Sequence, residues 1–525
     1  MHDLIGLELI VALGAAIVVS EIIAPRWRLP VPVLQLLCGV LLGFIPVFRN
    51  VHLPPQAVLL IFLPMLLYWE SLTTSLREIR RNLRGIVLLS TALVIVTAAA
   101  VAFTAHYFGL AWAAAWVLGA ALAPTDATAV GVLARSMPRR YTTILRAESL
   151  VNDGTALVIY ALVVDATVHA SHPSHVHIAA LFALSYTGGI AAGLVTAAAG
   201  WQARMRLNDA LQQNLVVLLM PFTAYLLAEL VHASGVLAVV TCGLIMSQLG
   251  PRIGRPLARQ QTTAFWGLAT QLLNGGLFVL IGVELQAAVR GLSSAALAQG
   301  IAIIVVVAVA LVLVRLAWLT ITIHLIRLLD RRPSQRARRT TPRARVLQSV
   351  AGFRGAVSLA AALAVPQALD SGSPFPSRDL IIFITVGVIA VTLAQGVALP
   401  SVVRWARLPR DTMIEKERQL AESKAAQAAL DALPELAKSL GINDEVADEA
   451  RDEYSRHLRA LQAGGETGED ADLISHQQQY KDLRRALIEH KRRTVIGLRD
   501  DGIIDDIVLR ELQTHLDRED VRLSR

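Results

Sequence analysis

The sequence predicts an all-α polytopic membrane protein with about thirteen transmembrane helices and a charged helical tail. Of its 525 residues, 54% are hydrophobic and only 17% are charged, whereas soluble domains carry about 25% charged residues. The apolar residues form runs of about 20 residues, each long enough to cross a hydrocarbon core of about 30 Å. Such spans are helical, because their backbone groups find no water partners inside the bilayer.

The apolar runs divide the chain into a membrane domain, residues 1–405, and a tail, residues 406–525. The predicted spans are 4–24, 30–48, 56–72, 84–107, 111–135, 144–165, 178–201, 211–231, 234–250, 263–285, 297–325, 347–369 and 379–403. The first run has no basic segment before it and is interpreted as a helix rather than a signal peptide.

The tail is predicted to be helical and exposed to the cytoplasm. Its first part, 411–463, is rich in Ala, Glu, Lys and Leu, which favour helix. Glycines at 464, 465 and 468 predict a linker, and a second amphipathic stretch follows at 473–523. The tail contains no catalytic or nucleotide-binding motif, so a solvated appendage and a regulatory domain both remain open.

Arginines predict the orientation of the chain. Alternate loops carry them in groups: Arg26 and Arg28; Arg77, Arg80, Arg81 and Arg84; Arg135, Arg139, Arg140 and Arg146; Arg204 and Arg206; Arg252, Arg255 and Arg259; and eight more between 327 and 345. The intervening loops carry little more than Arg49, Arg290 and Arg378. Arginine-rich loops stay in the cytoplasm, which places the N-terminus outside and the C-terminus inside. The pI near 9.8 therefore reflects membrane topology rather than nucleic-acid binding.

A few polar side chains lie inside the spans, where ionisable groups are costly and usually functional. They are Glu70, Thr125, Asp126, Glu148, Ser149, Asn152, Asp153, Arg315 and Arg354. Counted from the cytoplasmic ends, Asp126, Asp153, Arg315 and Arg354 lie roughly 10–15 Å deep at 1.5 Å per residue. Several helices thus deliver polar groups to neighbouring levels near the middle of the bilayer.

Ser149, Asn152 and Asp153 share one face of the sixth span, because they stand at positions i, i+3 and i+4. Their hydroxyl, amide and carboxylate oxygens suit a hard monovalent cation, and Asp153 can also take a proton. A carboxylate that binds either species is the minimum that cation/proton exchange requires. The alternative interpretation is a polar packing network between helices.

Two spans carry helix breaks. Pro124 removes a backbone donor and frees carbonyls in span five, and Asp126 would neutralise helix N-termini there. The segment 352–355 is the matching weak point in span twelve, where Arg354 would balance negative helix ends. An odd seventh span between two sets of six allows inverted repeats whose broken helices meet near the middle, as in many secondary transporters.

Three stretches resemble the monovalent cation:proton antiporter-1 family, the bacterial and archaeal relatives of eukaryotic sodium/proton exchangers. They are APTDATAVGVLAR (123–135), RAESLVNDGTALVIY (146–160) and AGFRGAVSLAAALAVP (351–366). The resemblance extends over about 5–405 and is specific in the order and spacing of its motifs. It implies a thirteen-helix fold with a dimerisation domain, and a six-helix core that is built on two crossed broken helices and moves as an elevator. It also implies a homodimer in the bacterial plasma membrane.

The resemblance also implies roles for individual residues. Asp153 resembles the essential cation/proton carboxylate, with Asn152 beside it; Ser149 and the backbone at Thr125 resemble Na+ ligands; and Glu70 matches an acidic residue near the ion path. Glu148 resembles the core glutamate that pairs with an arginine, for which Arg315 is preferred and Arg354 is the alternative. Electrogenic relatives in the sister family carry two neighbouring aspartates and a lysine in place of Arg315, so electroneutral exchange of one cation for one proton is expected.

These observations predict a secondary active Na+ (or Li+)/H+ antiporter that serves pH homeostasis. A K+/H+ antiporter of the same fold remains open, because oxygen ligands alone do not decide selectivity. A cation channel and a membrane sensor are further alternatives, but the polar groups stop at mid-depth. Nothing in the sequence indicates an enzyme or a cofactor.

Overall fold

The computed structural model describes residues 5–27, 29–48, 58–74, 88–126, 139–169, 175–253, 256–329, 341–408 and 413–462, with isolated positions outside these ranges. Regular structure in these ranges is helical, apart from one isolated bridge between Ala368 and Pro374. The chain separates into two compact units, Met1–Pro409 and Arg410–Arg525.

The first unit is a helical bundle. Its helices are α1 Ile5–Trp27, α2 Val31–Leu42, α3 Leu63–Thr73, α4 Leu93–Tyr107, α5 Trp112–Leu122, α6 Arg139–Val168, α7 His175–Arg206, α8 Ala210–Leu230, α9 Gly235–Ile253, α10 Pro256–Arg290, α11 Ser294–Leu329, α12 Pro342–Val350, α13 Ala356–Leu363 and α14 Arg378–Ala406. A π-helical segment, Val58–Phe62, leads into α3, and a second, Leu88–Ala92, leads into α4.

Eight helices within the described ranges are long and apolar enough to cross a membrane, and four shorter helices are also apolar. The prediction of an all-helical polytopic membrane protein is confirmed. Several helices extend past the apolar runs that predicted them: α6 begins at Arg139, ahead of the expected start at 144. Hydropathy locates the hydrocarbon-spanning part of a helix, whereas helical hydrogen bonding continues into the polar boundary.

Span twelve, predicted at 347–369 with a weak point at 352–355, is two short helices. The hydroxyl of Thr341 caps α12 by accepting from the Ala344 amide at 3.2 Å, and Pro342 occupies the first helical position. The helical hydrogen bonding stops at Val350 and resumes at Ala356, so residues 351–355 form a break. The second half ends at Leu363, shortly before Pro366.

Glycines bring α2 and α10 into close contact. A Cβ atom at Gly39 would overlap the backbone carbonyl of Val279, and one at Gly282 would overlap that of Leu36. At Gly43 a Cβ would meet the Gln286 side chain at 2.8 Å. The small residues at 39 and 43 therefore serve helix packing, as their spacing predicts.

Helix α5 lies inside the bundle. Its alanines and leucines, from Ala114 to Leu122, are almost completely buried in one hydrophobic cluster with residues of α4, α11 and α14. The chain leaves this buried helix at Ala123 and continues through Asp126 without helical structure. A helix that ends inside a bundle exposes unpaired carbonyls, which need partners from other elements.

The second unit contains a pair of packed helices, α15 Met413–Leu440 and α16 Asp444–Gln462. The stretch 411–463, predicted from composition to be helical, is thus interrupted by a turn. Gly441 has a φ of +65°, and the Ile442 amide donates to the Ala437 carbonyl at 2.9 Å, so the turn is a glycine C-cap. The predicted glycine linker lies outside the described residues, as does most of the second amphipathic stretch.

Candidate functional site

The two breaks contact each other in the interior of the first unit. The Asp126 amide, in the break after α5, donates to the Phe353 carbonyl in the break between α12 and α13, at 2.8 Å. A second hydrogen bond joins the same two segments. Arg354 Nε donates to the carbonyl of Leu122, the last residue of α5, at 3.0 Å. The non-helical segment after α5 and the break between α12 and α13 are therefore joined.

Opposite charges lie at the helix ends around this junction. The Asp126 carboxylate accepts from the Ala356 amide at 3.3 Å, at the positive N-terminus of α13. Arg354, only 3% exposed, donates to the carbonyls of Leu122 and Gly352 at the ends of α5 and α12. Each charge thus has the sign that stabilises the end it contacts. Gly355 is required here, since a Cβ atom at this position would overlap the Asp126 carboxylate.

A cavity opens beside the junction, between α3, α6 and the first turn of α13. Its polar lining consists of Glu70, Thr125, Asp126, Ser149, Asp153 and Ser358, and its apolar lining includes Leu63, Leu66 and Leu67. Asp153 and Ser149 are only 4% and 2% exposed, whereas Glu70 and Asp126 are partly exposed. The cavity therefore brings together three carboxylates and three hydroxyls from α3, the segment after α5, α6 and the first turn of α13.

Asp153 is a buried carboxylate without a counter-ion in the described part of the chain. Among the residues that the structure describes, none donates a hydrogen bond to its side chain and no arginine or lysine pairs with it. The nearby charges of Asp126 and Glu70 are both negative. An isolated carboxylate of this kind is costly, so Asp153 needs a proton or a cation from outside the protein.

Hydroxyl protons near Asp153 are directed away from the cavity. Ser149 Oγ donates to the Thr125 carbonyl at 2.6 Å. The Asn152 amide fits best with its oxygen accepting from the Thr125 hydroxyl at 3.1 Å, and with its nitrogen donating to the carbonyls of Ser90 and Glu148 at 3.2 and 3.1 Å. Both hydroxyl protons are therefore engaged with protein acceptors.

Glu148 forms an ion pair with Arg315 of α11. The two side chains join at 2.6 Å (NH1 to Oε1) and 2.7 Å (NH2 to Oε2), and both are nearly inaccessible to solvent. Arg315 Nε also donates to the Gln348 carbonyl of α12 at 2.9 Å. The pair therefore connects three helices behind the cavity and leaves Glu148 unavailable as a free cation ligand.

The structure thus sorts the residues selected from sequence into two groups. Asp153, Ser149, Thr125, Asp126 and Glu70 line the cavity; Asn152, Glu148, Arg315 and Arg354 lie outside it. Ser358 also lines the cavity but was not selected, although it stands in the third of the three motifs. Glu284 in α10 is another buried carboxylate that was not selected; it stands at the end of a predicted span and does not line the cavity.

A cavity with a carboxylate for a proton or a cation, placed where the end of one membrane helix meets the break in another, is typical of a secondary transporter. Comparison with known proteins identifies the family of transporters. The profile of the family described as "Sodium/hydrogen exchanger, transmembrane" matches residues 10–405, so the chain belongs to the sodium/hydrogen exchanger family. It is a monovalent cation/proton antiporter and not an enzyme, as the motifs predicted.

Individual relatives agree with this assignment. The chain is 45% identical to an uncharacterized Na+/H+ exchanger of Mycobacterium tuberculosis over 99% of its own length and 96% of the relative's. It is 29% identical to a sodium, potassium, lithium and rubidium/H+ antiporter of Bacillus pumilus, covering 83% of this chain and 66% of that one. The fold resembles the sodium proton antiporter MjNhaP1 of Methanocaldococcus jannaschii, with a TM-score of 0.57 and 17% identity, over 77% of this chain and 98% of that chain.

Proposed function

We propose that the protein exchanges Na+, or Li+, for H+ at Asp153, with one cation moved for each proton. The observation that carries the proposal is the buried Asp153 carboxylate, which lacks a positive or hydrogen-bonding partner among the described residues. Such a carboxylate is neutralised either by the cation or by the proton. Because one group serves both species, release of one is the condition for binding the other.

The proposed Na+ ligands are Asp153, Ser149 and Thr125. Hard cations prefer oxygen ligands, and these residues come from α6 and the break after α5. Glu70 and Asp126, partly exposed at the cavity, would attract the cation toward Asp153. Asn152 would not contact the cation itself. Its side-chain oxygen accepts a hydrogen bond from the Thr125 hydroxyl and so orients that ligand.

The proposed scaffold is a thirteen-span bundle with inverted six-helix repeats around α7. Eight long helices, four shorter apolar helices and the interrupted α12–α13 pair support that number. Span five and span twelve are counterparts in such a repeat; span twelve is interrupted, and α5 ends inside the bundle at Leu122. In an elevator mechanism the core carrying Asp153 slides past α9, which α6 approaches closely where Gly154 faces Leu237.

The arginine-rich loops support an orientation with the N-terminus outside and the C-terminus in the cytoplasm of a bacterial plasma membrane. The family resemblance further supports a homodimer and a role in pH homeostasis. Residues 406–525 would then be a helical cytoplasmic tail. Of the external histidines that the sequence places at 169–177, His169 contacts Asp165 and Asp370.

K+ is the alternative cargo. The Bacillus pumilus relative is named for sodium, potassium, lithium and rubidium, and the oxygen ligands proposed here would also accept K+. Na+ and K+ differ in the size of the dehydrated ion, and the cavity must match the size of the ion that it binds.

The test is exchange by the purified protein in proteoliposomes with an imposed pH gradient and a trapped pH-sensitive dye. Sodium, lithium and potassium are added in turn, to the wild type and to D153N. We expect dequenching by Na+ and Li+ in the wild type and none in D153N, with D153N still eluting as a folded species. Proton flux in D153N above a few per cent of the wild-type rate would reject Asp153 as the shared site. A stronger response to K+ than to Na+ would favour the alternative cargo.

A further inference from the structure

Ser358 lies on the first turn of α13, where the chain resumes helical structure after the second break. It lines the cavity that contains Asp153, and it is only 1% exposed. Its hydroxyl has no hydrogen-bond partner among the described residues. A buried hydroxyl without a partner is unfavourable, so its presence at this position calls for a ligand.

The groups around Ser358 limit which class of ligand can bind there. Asp126 already accepts from the Ala356 amide at the N-terminus of α13. The other hydroxyls in the cavity, those of Ser149 and Thr125, have committed their protons to protein acceptors. The ligand therefore has to share a cavity with three carboxylates, which excludes an anion and favours a cation or water.

We propose that Ser358 contacts the transported cation and supplies a neutral oxygen ligand from the second broken helix. The inference rests on the proposed function, since it requires the cation to bind at Asp153. A carboxylate from α6 and a hydroxyl from α13 would then hold the cation between two elements. A Na+ or Li+ ion gains from each added oxygen, because it has to replace the oxygens of its hydration shell.

Thr385 provides a matched control. It lies in α14, is completely buried, and its hydroxyl also has no hydrogen-bond partner among the described residues. Thr385 does not line the cavity. Removing its hydroxyl in T385V therefore reproduces the loss of an unpaired buried hydroxyl without touching the cation site.

The experiment compares the wild type, S358A and T385V in proteoliposomes, at an alkaline pH where protons compete weakly for Asp153. We expect the KM for Na+ to rise at least about tenfold in S358A, the factor associated with losing one contact to a charged ligand. T385V should keep the wild-type KM. A second measurement is the rise in Tm produced by Na+ in detergent, which S358A should reduce and T385V should retain.

A purely structural role predicts the opposite pattern, because deleting an unpaired hydroxyl leaves KM unchanged and leaves Tm equal or higher. An unchanged KM in S358A, or an equal rise in T385V, overturns the proposal. If S358A does not fold, S358C decides in the same way, since sulfur is a poor ligand for Na+. Failure of the proposed function would look different: the wild type itself would show no cation-driven proton flux.

Discussion

Arg315 holds both carboxylate oxygens of Glu148, at 2.6 and 2.7 Å, in a part of the bundle that solvent barely reaches. The guanidinium matches the carboxylate in a two-pronged geometry, and its Nε is used by the Gln348 carbonyl. A buried pair of this kind need not raise stability over an apolar pair. It does determine the relative positions of α6, α11 and α12 beside Asp153.

Neutralising either partner of this pair should destabilise the protein. E148Q or R315Q leaves an uncompensated buried charge, which costs about 3–5 kcal/mol. Both variants should therefore lower Tm in detergent, and the swapped double variant E148R/R315E should partly recover it. The control is the exposed pair Arg451 and Asp448, where D448N should change Tm little. Stronger coupling of Glu148 to Arg354 than to Arg315 in a double-mutant cycle would contradict the assignment.

Gly355→Ala should impair both folding and exchange. The added Cβ atom would overlap the Asp126 carboxylate, which then has to leave the Ala356 amide. Overpacking of a buried site costs about 1–3 kcal/mol, and displacement of Asp126 also removes the charge that stabilises the N-terminus of α13. Tm and cation-driven proton flux are the measurements. G276A in α10 is the control, because a Cβ atom there meets nothing within 4 Å. Wild-type flux in G355A would show that the position of Asp126 is immaterial.

Exchange should be electroneutral. Asp153 has Asn152 rather than a second aspartate beside it, and Arg315 is committed to the ion pair with Glu148, so neither neighbour supplies a second exchangeable carboxylate. Asp126 is engaged by the N-terminus of α13. The measurement is the Na+-driven pH response in proteoliposomes whose membrane potential is clamped with potassium and valinomycin. A null point that moves with the imposed potential would demonstrate an unequal stoichiometry.

A pH-dependent contact is expected at the end of α6. His169 lies 3.1 Å from the Asp165 carboxylate and 3.5 Å from that of Asp370. The pKa of His169 is raised from its ordinary value, first by a hydrogen bond to the Asp165 backbone carbonyl and then by the Asp370 charge. Because the folded-state pKa is the higher one, the stabilisation is complete below the unfolded-state pKa and is lost as pH rises through the folded-state pKa.

H169Q should therefore lower Tm slightly at pH 5.5 and leave it unchanged at pH 8.5, which lie about one pH unit below and about two units above the ordinary histidine pKa of about 6.5. The effect should weaken in high salt, because the groups are exposed. D370N should also reduce the pH dependence of Tm, because it removes the negative charge that faces His169. A Tm difference that grows with rising pH would contradict the sign of the shift.

The sequence by itself determined the class of protein and most of the site. Apolar runs of spanning length are sufficient to predict a helical membrane bundle, since no other backbone structure avoids unpaired groups there except a closed barrel. The motifs around Asp153 and Arg354 identified the family, and counting depth along each span brought Asp126, Asp153, Arg315 and Arg354 to comparable levels.

Only the tertiary structure decided which of these side chains share the cavity. Depth along a helix follows from residue number, but the direction in which a side chain points depends on how distant helices pack. Asn152 lies on the same helical face as Asp153 but is not part of the cavity lining, whereas Ser358 of α13 is. The contact of Arg354 with the Leu122 carbonyl likewise joins residues 232 positions apart. Such contacts arise because a helix interrupted inside the bundle must satisfy its ends with whatever element the fold brings to them.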